Sequence, residues 1–199
     1  MTTSAAAQTR ERILQTGLNL LSEAGLPGVT LGVLAQQVGM SKSGLFAHFR
    51  SKEEVQLALL EHMSVIADAC VLQPALQAAE GLPRLEALVS RWFGWPAKAG
   101  LRGGCPISAA LFELDDIAGN VRSRVLELEA RWRALLGQLV RRSVELGHLR
   151  ADLDADQFVW ELCGIYLSHH ASYRFLKDPR ADERAQIAFG ALLDRSRQS

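Results

Sequence analysis

Apolar positions recur at three- and four-residue spacing along nearly the whole chain, and no run of strict alternation is bounded by hairpin turns, which predicts an all-α protein. The first helix, Thr9 to Ala24, carries Ile13, Leu14, Gly17, Leu18 and Leu21 on one stripe, and Gly25 with Pro27 closes it. Thr30 then caps a two-turn helix with Leu31, Leu34, Ala35 and Val38 on one face, and Gly39 ends it. Ser41 opens a third, short helix from Lys42 to about Ala47. Ser51-Lys52-Glu53-Glu54 is a capping box that starts a fourth, running to about Val71.

Beyond that point the signals are plainer. A helix begins at Pro83 and is closed by Gly94 and Pro96, a Gly/Pro-rich loop follows to Gly104, and Pro106 to about Leu114 reads as a short helix. A long helix spans about Gly119 to Leu146, Asp154 with Gln157 starts another that Asp178-Pro179 breaks near Lys177, and a last one covers about Asp182 to Arg195. Met1 to Thr9 reads as a loose arm.

Composition narrows the function classes. The 199 residues are 48% hydrophobic and 22% charged, so a compact core is affordable in area and a disordered chain is excluded. Lys+Arg and Asp+Glu both number 22, and a nucleic acid or anionic partner therefore has to be served by a local patch. The N-terminus has no secretory pattern and no stretch reaches 18 or so uninterrupted apolar residues, so a cytoplasmic protein with no membrane partner is expected. Cys70, Cys105 and Cys163 are widely spaced with no CxxC and read as free thiols. Glycine-rich phosphate loops, GxSxG, HExxH and acidic metal clusters are all missing from the sequence, so the expectation is no enzyme, no cofactor and no metal.

Two short helices joined by a tight glycine-containing turn, under a longer first helix, are the helix-turn-helix pattern, whose second helix enters the major groove. Residues Thr30 to Phe49 fit it. Ser41 turns the dipole end of the second helix toward phosphate, Lys42 and Ser43 stand where such a helix presents its side chains, and Leu45 and Phe49 anchor it on Leu18, Leu34 and Val38. His48, Arg50 and Lys52 cluster at its exit, and a cation at the start of the fourth helix asks for a nearby anion, such as a DNA phosphate. Between Arg10 and Lys52 five basic residues face two acidic ones, a net charge of +3 that supplies the local patch.

The stretch from Thr30 to Glu53, with its Thr cap, Leu34-Ala35 pair, Gly39-Met40-Ser41 turn, Phe46-x-His48-Phe49 and Ser51-Lys52-Glu53 start, resembles the TetR family of transcriptional regulators. The resemblance covers about Arg10 to Leu60. It implies a helix-turn-helix DNA-binding domain over residues 1–51 and a helical ligand-binding and dimerisation domain over 52–199, in a homodimer joined through its last two helices. The expected DNA contacts are Thr30, Ser41, Lys42, Ser43, Gly44, Phe46, His48 and Lys52. Phe46 stands where members of the family often carry a tyrosine, so one phosphate-binding hydroxyl is missing.

In the remaining two thirds, the helix from Gln157 to Leu176 has almost no polar face and needs cover on every side, which a second subunit supplies. Trp92, Cys105, Phe112, Trp132, Trp160 and Tyr166 are candidates for an apolar ligand pocket, suited to a hydrophobic or planar molecule. Adjacent His169 and His170 cannot form a helical metal pair, and the arginines of the long helix are matched at Glu127–Arg131, Glu129–Arg133 and Arg141–Glu145. The function expected is a repressor that leaves its operator, a double-stranded DNA, when a small-molecule inducer binds. The competing expectation is an all-helical ligand-binding or stress-sensing protein acting through Cys105, whose thiol follows Arg102 and precedes Pro106 at a helix start.

Overall fold

The computed structural model describes residues 5–197, and every regular element among them is helical. Two compact units form, one from Met1–Ile66 with Pro96–Leu128 and the other from Ala67–Trp95 with Glu129–Ser199.

In the first unit α1 spans Ala5–Gly28 and is kinked at Gly25, whose φ of 67° is open to glycine at little cost. The helix takes in Ala5–Thr9, so the loose-arm reading fails there: alanines favour continuation of the turn, and Met1–Ser4 lie outside the described residues. Ile13, Leu14, Leu18 and Leu21 are buried, as the stripe requires. The next helices, α2 (Leu31–Val38), α3 (Lys42–Phe46) and α4 (Lys52–Ala67), each begin at the predicted cap. The Thr30 hydroxyl oxygen accepts the Val33 N–H at 3.2 Å, Ser41 accepts the Gly44 N–H at 3.0 Å, and Ser51 accepts the Glu54 N–H at 3.0 Å. The Glu54 carboxylate reaches back to the Arg50 N–H at 2.7 Å, closing the box one residue earlier than its usual form.

The first unit also contains α8 (Pro106–Glu113), which packs on α1. Besides α1–α3, the first unit takes in α4 as far as Ile66 and the stretch Pro96–Leu128. The Gly104 N–H donates to the Ser22 carbonyl at 2.9 Å, the Gly103 N–H to the Ser22 hydroxyl at 3.1 Å, and the Arg102 N–H to the Asn19 side chain at 3.2 Å. Glycine-poor sequence could not approach so closely.

The second unit is built on α6 (Leu82–Trp92), α10 (Ala155–Ala171) and α11 (Ala181–Asp194), with α5 (Gln73–Ala75) a single turn; α7 (Trp95–Lys98) follows α6. The long α9 covers Asn120–Glu145. Two stretches are wound as π-helix, Asp68–Leu72 and Ser172–Leu176, and the second ends on Lys177 at φ 54°. Asp154 caps α10 by accepting the N–H groups of Asp156 and Gln157, both at 3.0 Å. The Glu129–Arg133 ion pair forms at 2.8 Å, but Glu127 pairs with Arg124, Arg141 with Asp156, and Glu145 with Arg142. Spacing alone overlooked partners three residues away and across elements.

One helical run, Lys52–Ala75, is long and apolar enough by composition to cross a bilayer. Its Glu61 and Asp68 interrupt the apolar stretch, and Val55, Leu59, Leu60 and Met63 are buried in protein, as in a core helix.

Candidate nucleic-acid interface

Leu45 and Phe49 are fully buried together with Leu34 and Leu18, and Val38 is half-buried beside them. This fixes the rotation of α3 and leaves Ser41, Lys42, Ser43 and Phe46 exposed, with Gly44 and His48 half-buried. The Ser41 and Ser43 hydroxyls lie 3.1 Å apart, so the cap is itself tied to a side chain that faces solvent. The Gly44 position is close-fitting: an added Cβ would stand 3.2 Å from the Ser41 hydroxyl. Both α2 and α3 therefore present unpaired first-turn amides beside hydroxyl and ammonium groups, an arrangement that accepts phosphate oxygens.

Lys52 has a partner that the sequence did not suggest. Its ammonium donates to the Pro27 carbonyl at 3.4 Å, at the corner between α1 and α2 and three residues before the Thr30 cap. Carbonyl oxygen thus offsets the unfavourable position of this cation at the start of α4 in the free protein. Arg10 lies over the Phe49 ring, 5.0 Å from its centroid, which adds a cation–π contact under α3.

The corner itself is held from two sides within this unit. The Gln56 amide, buried in α4, donates to the Leu26 carbonyl at 2.8 Å, and the Glu113 carboxylate of α8 accepts the Leu26 N–H at 2.9 Å. A Cβ on Gly25 would fall 1.8 Å from that carboxylate. Sequence reasoning passed over Gln56, Glu113 and the Gly103-Gly104 pair. Only the glycine pair carried a visible signal, and a loop was the simplest reading of it.

The six residues expected at a ligand pocket divide. Trp92, Trp132 and Tyr166 come together in the second unit: Trp92 stacks on Tyr166 at a centroid distance of 4.1 Å, and Trp132 meets Trp92 edge-on at 5.0 Å. Phe93 and His169 extend the cluster, their rings stacked at 5.6 Å. Trp160 does not join them; it is 66% exposed on α10, because it lies on the face of the helix turned from Phe158, Val159 and Leu162. Cys105 and Phe112 belong to the first unit, where Cys105 is 6% exposed and Phe112 is 68% exposed on α8. The buried sulfur of Cys105 gives the thiol-sensing alternative little access to an oxidant.

The His169 ring Nε2–H donates a 2.7 Å hydrogen bond to the Asp182 carboxylate, and its neighbour His170 has its pKa pushed down by burial, by Arg174 and by His169. Burial pushes the Cys163 thiol up to about 11, outweighing the lowering effect of Arg133. A thiol so placed holds only about one part in a thousand of thiolate at pH 8. Native protein is accordingly expected to react with a thiol reagent at the same rate whether residue 163 is Cys or Cys163→Ser, with the extra thiol appearing only in denaturant. Fast native labelling lost in Cys163→Ser would contradict this. No group of three or more His, Cys, Asp or Glu able to hold a metal occurs among the described residues.

Comparison with known proteins follows the two regions just described. Residues 13–59 match the profile of bacterial regulatory proteins of the tetR family, and residues 81–189, more than half of the chain, match the tetracyclin repressor-like C-terminal domain. The nucleoid occlusion factor SlmA of Cronobacter sakazakii is 29% identical over 188 residues, covering 92% of this chain and 93% of that protein. Among solved structures, a TetR-family regulator from Cytophaga hutchinsonii superposes with a TM-score of 0.86 at 18% identity over the whole of both chains. AibR, solved with isovaleryl coenzyme A and operator DNA, superposes with a TM-score of 0.74 at 20% identity, over 93% of this chain and 98% of its own.

Proposed function

The chain belongs to the TetR family of DNA-binding transcriptional regulators, and from that premise we propose that it is a cytoplasmic homodimeric repressor whose operator affinity falls when a small apolar or planar molecule binds its C-terminal region. The observation that carries the DNA part is the exposed rim of α3, where Lys42 and Ser43 stand outward from a helix anchored by buried Leu45. Thr30, Ser41 and Lys52 contact the DNA backbone, Lys42 and Ser43 reach into the groove, and Gly44, Phe46 and His48 complete the contact surface.

The aromatic set of Trp92, Trp132 and Tyr166 supports the ligand part, because a planar molecule that parts the Trp92–Tyr166 stack would find aromatic faces on both sides. The neighbouring structure that holds both a coenzyme A ester and operator DNA supports the pairing of the two ligands in this fold. A coupling of about 1–3 kcal/mol between inducer and DNA would weaken operator binding roughly 5- to 150-fold.

The test is binding to a fragment of the gene's own upstream region over a range of salt. Lys42→Ala and Lys52→Ala are each expected to weaken binding about 5- to 30-fold, and a lysine that meets phosphate also lowers the salt slope by about 1. Both side chains are exposed, so melting temperatures should stay close to wild type. Unchanged binding in both variants would overturn the assignment of α3 and the start of α4 to DNA.

A second reading is favoured by the match to a nucleoid occlusion factor over 92% of this chain: a nucleoid occlusion factor rather than a regulator of one promoter. Mapping of occupied sites across the genome separates the two. A few promoter-proximal peaks support the repressor, and sites scattered without regard to promoters support the second reading.

A further inference from the structure

Arg10 on α1, Lys42 on α3 and Arg50 just beyond α3 are exposed and make no ion pair among the described residues. The carboxylates close to them in sequence are turned elsewhere. Glu11 faces His62 at 3.7 Å, Glu53 accepts from the Asn120 side chain at 2.9 Å, and Glu54 accepts the Arg50 backbone N–H at 2.7 Å. Positive charge without a local counter-charge thus collects around α3, and it calls for an anion from outside. Arg10 differs from the other two in coming from another helix and in being held by a ring. It precedes the buried Ile13 and Leu14 by three and four residues, so it continues their stripe past the end of the core. Its guanidinium carbon stands 5.0 Å from the centroid of Phe49, which is fully buried three residues after the exposed Phe46. A ring contact takes up the π face of the cation and none of its N–H donors, which meet no acceptor among the described residues.

We propose that Arg10 is a DNA-phosphate contact, held in place by Phe49 at the exit end of α3. This rests on the assignment of α3 to DNA above and adds a residue from α1. Helix length supplies the reason. Five residues rise about 7.5 Å against a major groove about 12 Å wide, so α3 with its first turn at the base edges does not reach both bordering backbones. Thr30 and Ser41 serve the backbone on the side of the helix starts, and the exit side needs a cation from another element. Arg10 fits that need. Its planar fork of N–H groups matches two oxygens of one phosphate, and contact with Phe49 has already removed side-chain freedom that an untethered arginine would lose on binding. Arg12, two residues on, projects from a different side of α1 and has no such ring beneath it.

The test is fluorescence anisotropy titration of the full chain with the labelled upstream fragment and with a scrambled duplex of the same length, at several salt concentrations. Wild type is compared with Arg10→Ala, Arg10→Gln, Arg12→Ala and Lys42→Ala. Both Arg10 variants are expected to weaken binding to either duplex about 5- to 10-fold and to lower the salt slope by about 1, because a phosphate contact carries no sequence information. Arg12→Ala should leave both affinities within about twofold. A role confined to covering Phe49 would lower the melting temperature and leave the salt slope as in wild type. An unchanged slope in Arg10→Gln, which keeps the aliphatic stem over the ring, therefore overturns the contact whatever the affinity does. An equal loss in Arg12→Ala overturns it as well, by making charge rather than position the cause. If Lys42→Ala weakens binding and the Arg10 variants do not, the α1 contact fails alone. If no variant moves, the assignment of α3 falls with it.

Discussion

Gly103→Ala is expected to lower the melting temperature by roughly 6–20 °C, which follows from a loss of about 3–5 kcal/mol at 2–4 °C per kcal/mol in a chain of this size. The new Cβ would stand 1.9 Å from the Ser22 carbonyl oxygen and 2.5 Å from the Glu23 nitrogen, both backbone atoms that cannot swing aside. Overpacking of this kind costs about 1–3 kcal/mol, and the bonds from the Gly103 and Gly104 N–H groups to Ser22, lost as the loop lifts, add about 1 kcal/mol each. Gly32→Ala is the matched control, since a Cβ there meets nothing within 4 Å and sits inside α2. If Gly103→Ala melts within about 2 °C of wild type, the docking of 102–104 on α1 contributes little and the account of the first unit is wrong.

The second large effect is expected at Trp92. This side chain is buried, stacked on Tyr166 and met edge-on by Trp132, so Trp92→Ala should cost about 3–5 kcal/mol, the range for removing a core aromatic. The hole it leaves would be apolar and walled by aromatic faces. Indole at millimolar concentration is expected to bind there and restore several degrees of the lost melting temperature, while leaving wild type unmoved. A variant that melts like wild type would mean that the stacked set is not packed core. A destabilised variant that indole fails to rescue would mean that the surroundings collapse into the space, and would weaken the case for this region as a ligand seat.

Much of the fold was legible because caps and positive-φ glycines are written locally. Thr30, Ser41 and Asp154 announce helix starts through side chains that bond their own backbones, Gly39 marks a stop, and Gly25, where a stop was expected, marks a kink in α1. The exposed side of α3 was legible for the same reason, since Leu45 and Phe49 define its buried side and thereby the other. What escaped depends on partners distant in sequence. Glu113 meets Leu26 across 87 positions, and Gln56 meets it across 30. Trp160 and Phe112 read as pocket residues because aromatic character says that a side chain prefers cover, without saying whether a neighbour in the same chain gives it. The two π-helical stretches left no periodic signal, being one widened turn each.

Helix α3 has only five residues, with Leu45 its single buried side chain. So short a segment cannot persist in water by its own amide bonds, since nucleation is unfavourable and little length remains for propagation. Its shape is on loan from α2 and from the Leu45 and Phe49 contacts beneath it. Opening of this segment, with early exchange of its amide protons, would therefore precede global melting, and warming would undo the proposed DNA-contact surface while most of the molecule is still intact.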